Sequence, residues 1–451
     1  MKKVYYFLFA AMGLASCSNE DVFEAPTNVN EDVAQEFNVN KRSYSEVLEI
    51  AQNSISMIQD STAITRGESG RTLNLESGVK TYCQKTTRAN GASVNDTLLY
   101  VFNFNDNKGF AVVSANRATE GLLAIVEEGN YDPNSKWGDS YAEEILENAK
   151  EYVANAELEN QPAVTRGLHA SSSTGQVWID TLEIKNVKPR IKVKWAQKGE
   201  IAKYSLNPNS NKIAGSGPIA IAQVMSYWGA YVGSAKSTKI NLQYRSGVLS
   251  LDWKKINSWS NSDKISSDSP KKGVTSDAVA QLVREIAYRA KAKYWNDQTE
   301  TSMYDLRDAS ISLGFYATSV EKFYPSASWN LIRRLWADNF AIMEAANSKK
   351  SGRKHIFIID GFQYKKEHEY IKWKNEKGEW EYLPGIGESY RDTELNYINW
   401  GEAGKYDGYY TSNLFNPSVR DNNGRSTDYF ENWKGGTYNT DMKVFIFYWN
   451  R

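Results

Sequence analysis

The chain has 451 residues, which at about 150 residues per domain suggests two or three domains. With 41% hydrophobic and 24% charged residues it can build folded cores, and 54 basic against 54 acidic residues leave no net field for nucleic acid. Two cysteines and three histidines exclude a zinc ribbon, a disulfide scaffold and a zinc site made from clustered histidines alone.

In chain order, Lys2-Lys3 precedes an apolar run from Val4 to Leu14 and the small residues Ala15-Ser16. A short basic region, about ten apolar residues and a small-residue cut site describe a secretory signal, too short to span a bilayer. Leu14-Ala15-Ser16-Cys17 resembles a bacterial lipobox, which implies an acylated Cys17 at the mature N-terminus; the alternative is a plain signal peptide with an incidental cysteine. Signal and lipobox make residues 1–17, and 18–41 read as a solvated tether. Glu20, Asp21, Glu24, Glu31, Asp32 and Glu36 lie there with no base before Lys41. Acidic residues behind a lipidated cysteine resemble the export signal of outer-surface lipoproteins. The expected location is therefore the bacterial envelope, on an outer-membrane anchor.

Residues 42–160 read as a small α+β unit. Val47, Leu48, Ala51, Ile55 and Ile58 recur at spacings of three and four, with Ser43 as a cap, and predict a helix. Leu98–Phe104, Phe110–Ser114 and Leu122–Val126 predict strands, the first two joined by a turn at Asp106–Gly109, and a helix is expected around Tyr141–Ala154. Cys83 is the one thiol left in the folded part and reads as a structural, half-buried residue. Residues 161–184 read as a polar linker in which Arg166-Gly167 is a plausible cleavage point; Thr65-Arg66-Gly67 repeats its tripeptide.

The second unit runs from 185 to 451. Gly217-Pro218 opens a dense apolar helix, Ile219–Trp228, expected to be buried and central. An amphipathic helix is predicted over Ser276–Lys293 and a shorter one over Trp329–Trp336. Strands are predicted at Phe340–Glu344, His355–Phe362, Tyr370–Trp373, Trp380–Leu383, Tyr397–Trp400 and Val444–Tyr448, with a hairpin at Asn375–Gly378. Helices first and antiparallel strands after describe an α+β fold with segregated layers.

Four stretches carry the chemistry: Trp195-Ala196-Gln197, Gly215-Ser216-Gly217-Pro218 leading into Ala222-Gln223-Val224-Met225, His355 with Asp360-Gly361-Phe362, and Asn399-Trp400-Gly401 followed by Asp407-Gly408-Tyr409-Tyr410. Singly, each is weak. Ser216 reads as a helix-start residue, His355 as a satisfied core histidine and Asn399-Trp400 as a strand end. In this order the four resemble the streptopain family of papain-fold cysteine peptidases. The 139 residues from Ser216 to His355 fall within the roughly 130 to 150 that separate nucleophile and base in papain-like enzymes. The resemblance implies a two-part papain-like domain built on a central buried helix and an antiparallel sheet. It gives Gln197 the role of oxyanion donor, Ser216 the nucleophile position and His355 that of base, with Asn399 and Trp400 orienting and shielding it. Tyr100–Phe104, Gly109–Ala115 and Glu128–Tyr131 resemble the streptopain propeptide, also found free as an inhibitor module, which implies a zymogen.

The departures matter as much. Ser216 stands where the family has its cysteine, and a hydroxyl starts several pKa units above a thiol, so the surroundings that make a thiolate do not make an alkoxide. Lys354, Ile356, Tyr397 and Glu402-Ala403 also leave the family pattern. Weak or absent proteolysis is therefore expected. Three functions compete: a tethered peptidase zymogen, a non-catalytic surface lipoprotein binding peptide or protein, and a protease inhibitor acting through the N-terminal unit. All three have a protein or peptide as substrate or ligand, a lipid membrane at Cys17 and no nucleic acid. Phosphate loops and His-Glu-x-x-His are absent, and neither cofactor nor metal is expected.

Overall fold

The computed structural model describes residues 41–58, 70–75, 78–87, 93–131, 148–156, 176–231, 238–260, 274–323, 335, 339–346, 354–375, 377–382, 389–414 and 442–448. Cys17, the acidic tether up to residue 40, Thr65–Gly67, Arg166-Gly167, His169 and nearly all of the helix expected at Trp329–Trp336 lie outside them.

Helix α1 (Tyr44–Ile58) begins with a reciprocal cap: Glu46 N–H donates to Ser43 Oγ (3.3 Å) and Ser43 N–H to Glu46 Oε2 (2.7 Å). Its apolar stripe, Val47, Ala51 and Ile58, lies on the meander of β1 (Val79–Thr87), β2 (Ser93–Asn103), β3 (Phe110–Ser114) and β4 (Leu122–Val126). Both β3 and β4 are buried on both faces, which explains their continuous apolar runs. Gly109, at φ +104°, makes the turn before β3, where a Cβ would strike the Val126 carbonyl at 1.9 Å.

The chain continues as β5 (Gln176–Val187), the buried helix α2 (Ser216–Tyr231), a hairpin of β6 (Thr238–Asn241) and β7 (Val248–Leu251), and helices α3 (Trp253–Ser260) and α4 (Val274–Arg289). A two-residue pair, β8 (Lys293–Tyr294) and β9 (Thr299–Glu300), leads to α5 (Met303–Ser312), capped by Ser302, and to the short β10 (Tyr316–Ala317) and β11 (Glu321–Lys322). The remaining strands are β12 (Phe340–Ala346), β13 (Lys354–Lys374), β14 (Trp380–Tyr382), β15 (Ser389–Asn399), β16 (Gly408–Thr411) and β17 (Lys443–Tyr448).

These strands form one antiparallel sheet in the order β1-β2-β3-β4-β16-β15-β13-β12-β17-β10, with β5 and β14 also on β13 and β11 on β17. The expected α+β architecture with a large antiparallel sheet is what the chain adopts. Along β12 and β13 the period of two sorts side chains between two cores. Ile342, Ile356 and Ile358 face α2, α4 and α5; Met343, Phe357 and Ile359 face the other way, where Leu99, Val112, Tyr152 and Val153 of the N-terminal unit join the same cluster. The N-terminal unit thus shares sheet and core with the rest: Ile125 is opposite Tyr409, and Glu127 N–H donates to the Asp407 carbonyl (2.9 Å). Among the described residues no helix is long and apolar enough to cross a membrane.

Several expectations need correction. Residues 176–184, assigned to the linker, belong to β5 and pair with Lys365–Lys372. The two strands expected at His355–Phe362 and Tyr370–Trp373 are one strand of 21 residues, because the polar stretch between them is paired on both sides, by β5 and β15. The helix expected to reach Lys293 stops at Arg289, and Lys291 turns the chain at φ +51°. The polar stretch that joins the two halves of β13 carries His368, its ring stacked 4.5 Å from that of Tyr390.

Candidate active site

Gly215 (φ +91°) turns the chain into α2, and Ser216 is its first residue, 9% exposed. Pro218 falls in the first turn, where a missing N–H breaks no helical bond. The helix has almost no polar face, and Gln223, fully buried on it, ties three segments together. Its Oε1 accepts Trp195 N–H (3.2 Å) and its Nε2 donates to Asn399 Oδ1 (3.0 Å), which also accepts Gly401 N–H (3.0 Å). The sequence places Gln223 in the motif that follows Ser216 without giving it a role; its complete burial and its partners supply one.

His355 is 2% exposed and donates from Nε2 to the Trp400 carbonyl at 2.9 Å. A carbonyl only accepts, so Nε2 carries the ring proton and Nδ1 is the acceptor. Burial brings the imidazole down to about 4, against the smaller upward pull of that bond, so the ring is neutral at physiological pH. Its ring centroid lies 6.0 Å from that of Trp400 and 6.4 Å from that of Phe357.

Trp400 flanks the histidine, and the Asn399 amide serves Gln223 and Gly401. Nor does a hydrogen bond join Ser216 to His355. Ser216 Oγ instead accepts the backbone N–H of Ile356 (3.0 Å), one residue along β13. The helix N-terminus and the histidine strand are in contact, but through the serine side chain and the Ile356 backbone rather than the imidazole.

Gln197 is placed by its own carbonyl, which accepts Ala214 N–H at 2.7 Å, two residues ahead of Ser216. Its side-chain Nε2 donates to Glu402 Oε1 at 2.8 Å. Burial pushes the Glu402 carboxyl up, while the Gln197 bond, Lys198 and Lys405 pull it down.

The other departures find partners. Lys354 pairs with the buried Glu344 (3.6 Å), which Lys443 also approaches at 3.6 Å. Burial, with Glu127 of the N-terminal unit beside it, pushes the Tyr397 phenol well up. Asp360 accepts the N–H groups of Arg190 (3.0 Å) and Ile191 (2.8 Å); burial nonetheless pushes it up to about 6. Asp407 accepts Trp400 N–H (2.9 Å) and is pushed up to about 8 by burial, against the pull of Lys194. Among the described residues no cluster of histidines, cysteines and carboxylates is arranged to hold a metal.

Residues 195–410, which contain Gln197, Ser216, His355, Asn399 and Trp400, match the Peptidase C10 family, and residues 33–153 match the Spi protease inhibitor family. The chain carries a Peptidase C10 domain behind a propeptide-like domain. Two solved structures resemble it at 17% identity. A mutant fragment of Prevotella intermedia prointerpain A covers 81% of this chain and 98% of its own, with a TM-score of 0.45. The active wild-type interpain A cysteine protease of the same organism covers 58% and 94%, with a TM-score of 0.35. No curated protein matches. Within the C10 match Ser216 lies on α2 and His355 on β13, while the propeptide-like domain supplies β1 to β4 beside β16.

Proposed function

We propose that this chain is a lipid-tethered member of the C10 family, made with its propeptide-like domain, in which peptide-bond hydrolysis is absent or residual and the cleft serves to bind a peptide or protein segment. Ser216 carries the reading. In a cysteine peptidase the neighbouring imidazole and helix N-terminus together hold a thiolate. A serine there needs a general base within hydrogen-bond reach, and Ser216 Oγ is engaged by Ile356 N–H rather than by the imidazole. A role as an inhibitor in trans would require β4 to leave β16.

The reading is tested by comparing the native protein with Ser216→Ala on fluorogenic peptides. Equal rates, and no labelling of Ser216 by a peptidyl phosphonate, are expected. Hydrolysis more than tenfold above the Ala variant, with the phosphonate on Ser216, overturns it. The anchor rests on Leu14–Cys17 and the acidic tether. Incorporation of labelled palmitate that disappears in Cys17→Ser supports it, and equal labelling of both forms refutes it.

A further inference from the structure

We propose that Glu402 is a built-in plug of the oxyanion site: its carboxylate takes the Gln197 amide that would receive the substrate's oxyanion, and sets a negative charge where the tetrahedral intermediate must develop its own. This inference rests on the reading of Gln197 as the donor and of position 216 as the nucleophile position.

Placement of Glu402 is over-determined. Its backbone forms an isolated bridge with Ala196, and Ala403 N–H donates to the Trp195 carbonyl (3.1 Å), so the segments of Glu402 and Gln197 run side by side. The loop curls through Gly401 (φ +69°), Ala403 (φ +59°) and Gly404 (φ +82°). At Ala403 a left-handed conformation carries a side chain, a cost accepted in the turn that brings Glu402 back onto Gln197. Gly401, at the loop's start, is fixed by Asn399 Oδ1, the acceptor that also holds Gln223. The plug is therefore tied to the same buried amide that anchors α2.

An oxyanion hole works because preorganised donors meet a charge that appears only in the transition state. A carboxylate already seated on the donor removes both advantages: the amide is satisfied in the ground state, and the developing charge meets a like charge. Burial raises the Glu402 carboxyl, and the Gln197 bond, Lys198 and Lys405 act against that rise.

The experiment uses the full chain with Ser216→Cys, which supplies a reactive atom, and compares two reactions of that sulfur. In one, a small p-nitrophenyl ester acylates it: the S–C bond forms, the aryl C–O bond breaks, p-nitrophenolate leaves and the thiol proton passes to a buffer base. That reaction passes through a tetrahedral oxyanion. In the other, iodoacetamide alkylates the same sulfur by displacing iodide, and no oxyanion forms.

Adding Glu402→Ala to Ser216→Cys should raise the acylation rate about 10²-fold, the size of one oxyanion donor, and change alkylation less than threefold. Adding Gln197→Ala as well should cancel the gain, whereas Gln197→Ala with Glu402 intact should change acylation little. A merely structural tie would move both reactions together. Unchanged acylation with normal alkylation overturns the plug and leaves the reading of position 216 intact. No alkylation of the new thiol in any variant refutes that reading, and the plug with it.

Discussion

Strand β13 has two ends made from the same alternating pattern and used in opposite ways. At its start, His355, Phe357 and Ile359 lie in a core built from both domains, while Ile356 and Ile358 face α2 on the other side. At its far end His368, Tyr370 and Lys372 share one face with Trp178, Tyr382 and Tyr390 from the flanking strands. The rings touch one another there, with Tyr370 and Tyr382 5.0 Å apart and Lys372 Nζ 4.0 Å above Trp178, yet Trp178 and Tyr390 are 38% and 62% exposed. Two histidines thirteen positions apart show the difference: one is sealed between layers, the other stacks on an exposed tyrosine. A strand long enough to leave the core keeps its hydrogen bonds but exchanges layered packing for side-by-side ring contacts.

Substitutions along the strand should grade accordingly. Phe357→Ala should cost about 3 to 5 kcal/mol in denaturant unfolding, since the ring is 1% exposed in a core that cannot collapse freely. A loss below 1 kcal/mol would erase the distinction between the two ends.

The next effect is pH-dependent. The buried His355 has its value lowered to about 4, whereas in the unfolded chain it takes up a proton near 6.5. Its contribution is present above about 6.5 and is lost as pH falls toward 4, about 3 kcal/mol in all. Asp360 and Asp407, both raised, slope the other way, so the quantity to measure is native minus His355→Gln across pH 4 to 8. A pH-independent difference would mean that the imidazole is not sealed.

At the far end, Tyr390→Ala should cost about 0.5 to 1.5 kcal/mol, the worth of one ring pair, and leave the His355 slope unchanged. Breaking the exposed Lys185–Glu183 pair (2.6 Å) with Lys185→Ala should be smaller still, below about 1 kcal/mol in a thermal or denaturant melt.

Sequence reading found elements wherever one signal dominated. Phe110–Ser114 and Leu122–Val126 are apolar but for Ser114, and their predicted limits coincide with β3 and β4. The Ser43 cap was legible because its Glu46 partner lies three residues on. β5 was missed although Val177, Ile179, Leu182 and Ile184 carry a near-alternation, because the polar stretch before it reads as linker and its partner is nearly 200 positions away. The positions at the candidate site were legible through their joint order, but their contacts were not. That Gln197 would bond Glu402, that Asn399 would serve Gln223, and that Ser216 would accept from Ile356 depend on how three distant loops meet. A charge at position 402 was visible in the sequence; its target was not.

The ladder between β4 and β16 bears on what a cut in the chain would achieve. Severing the segment between the helical residues 148–156 and β5 would remove one covalent link and none of the strand pairing. Leu414 would still accept from Asn148, Glu120 would still accept from Asn413, and the shared apolar cluster would stay dry. A nicked molecule would therefore run as two bands on a denaturing gel and as a single particle in solution. Dissociation would require splitting a continuous sheet between β4 and β16, a slow event whose rate, more than the cut itself, would set how long the two pieces stay together.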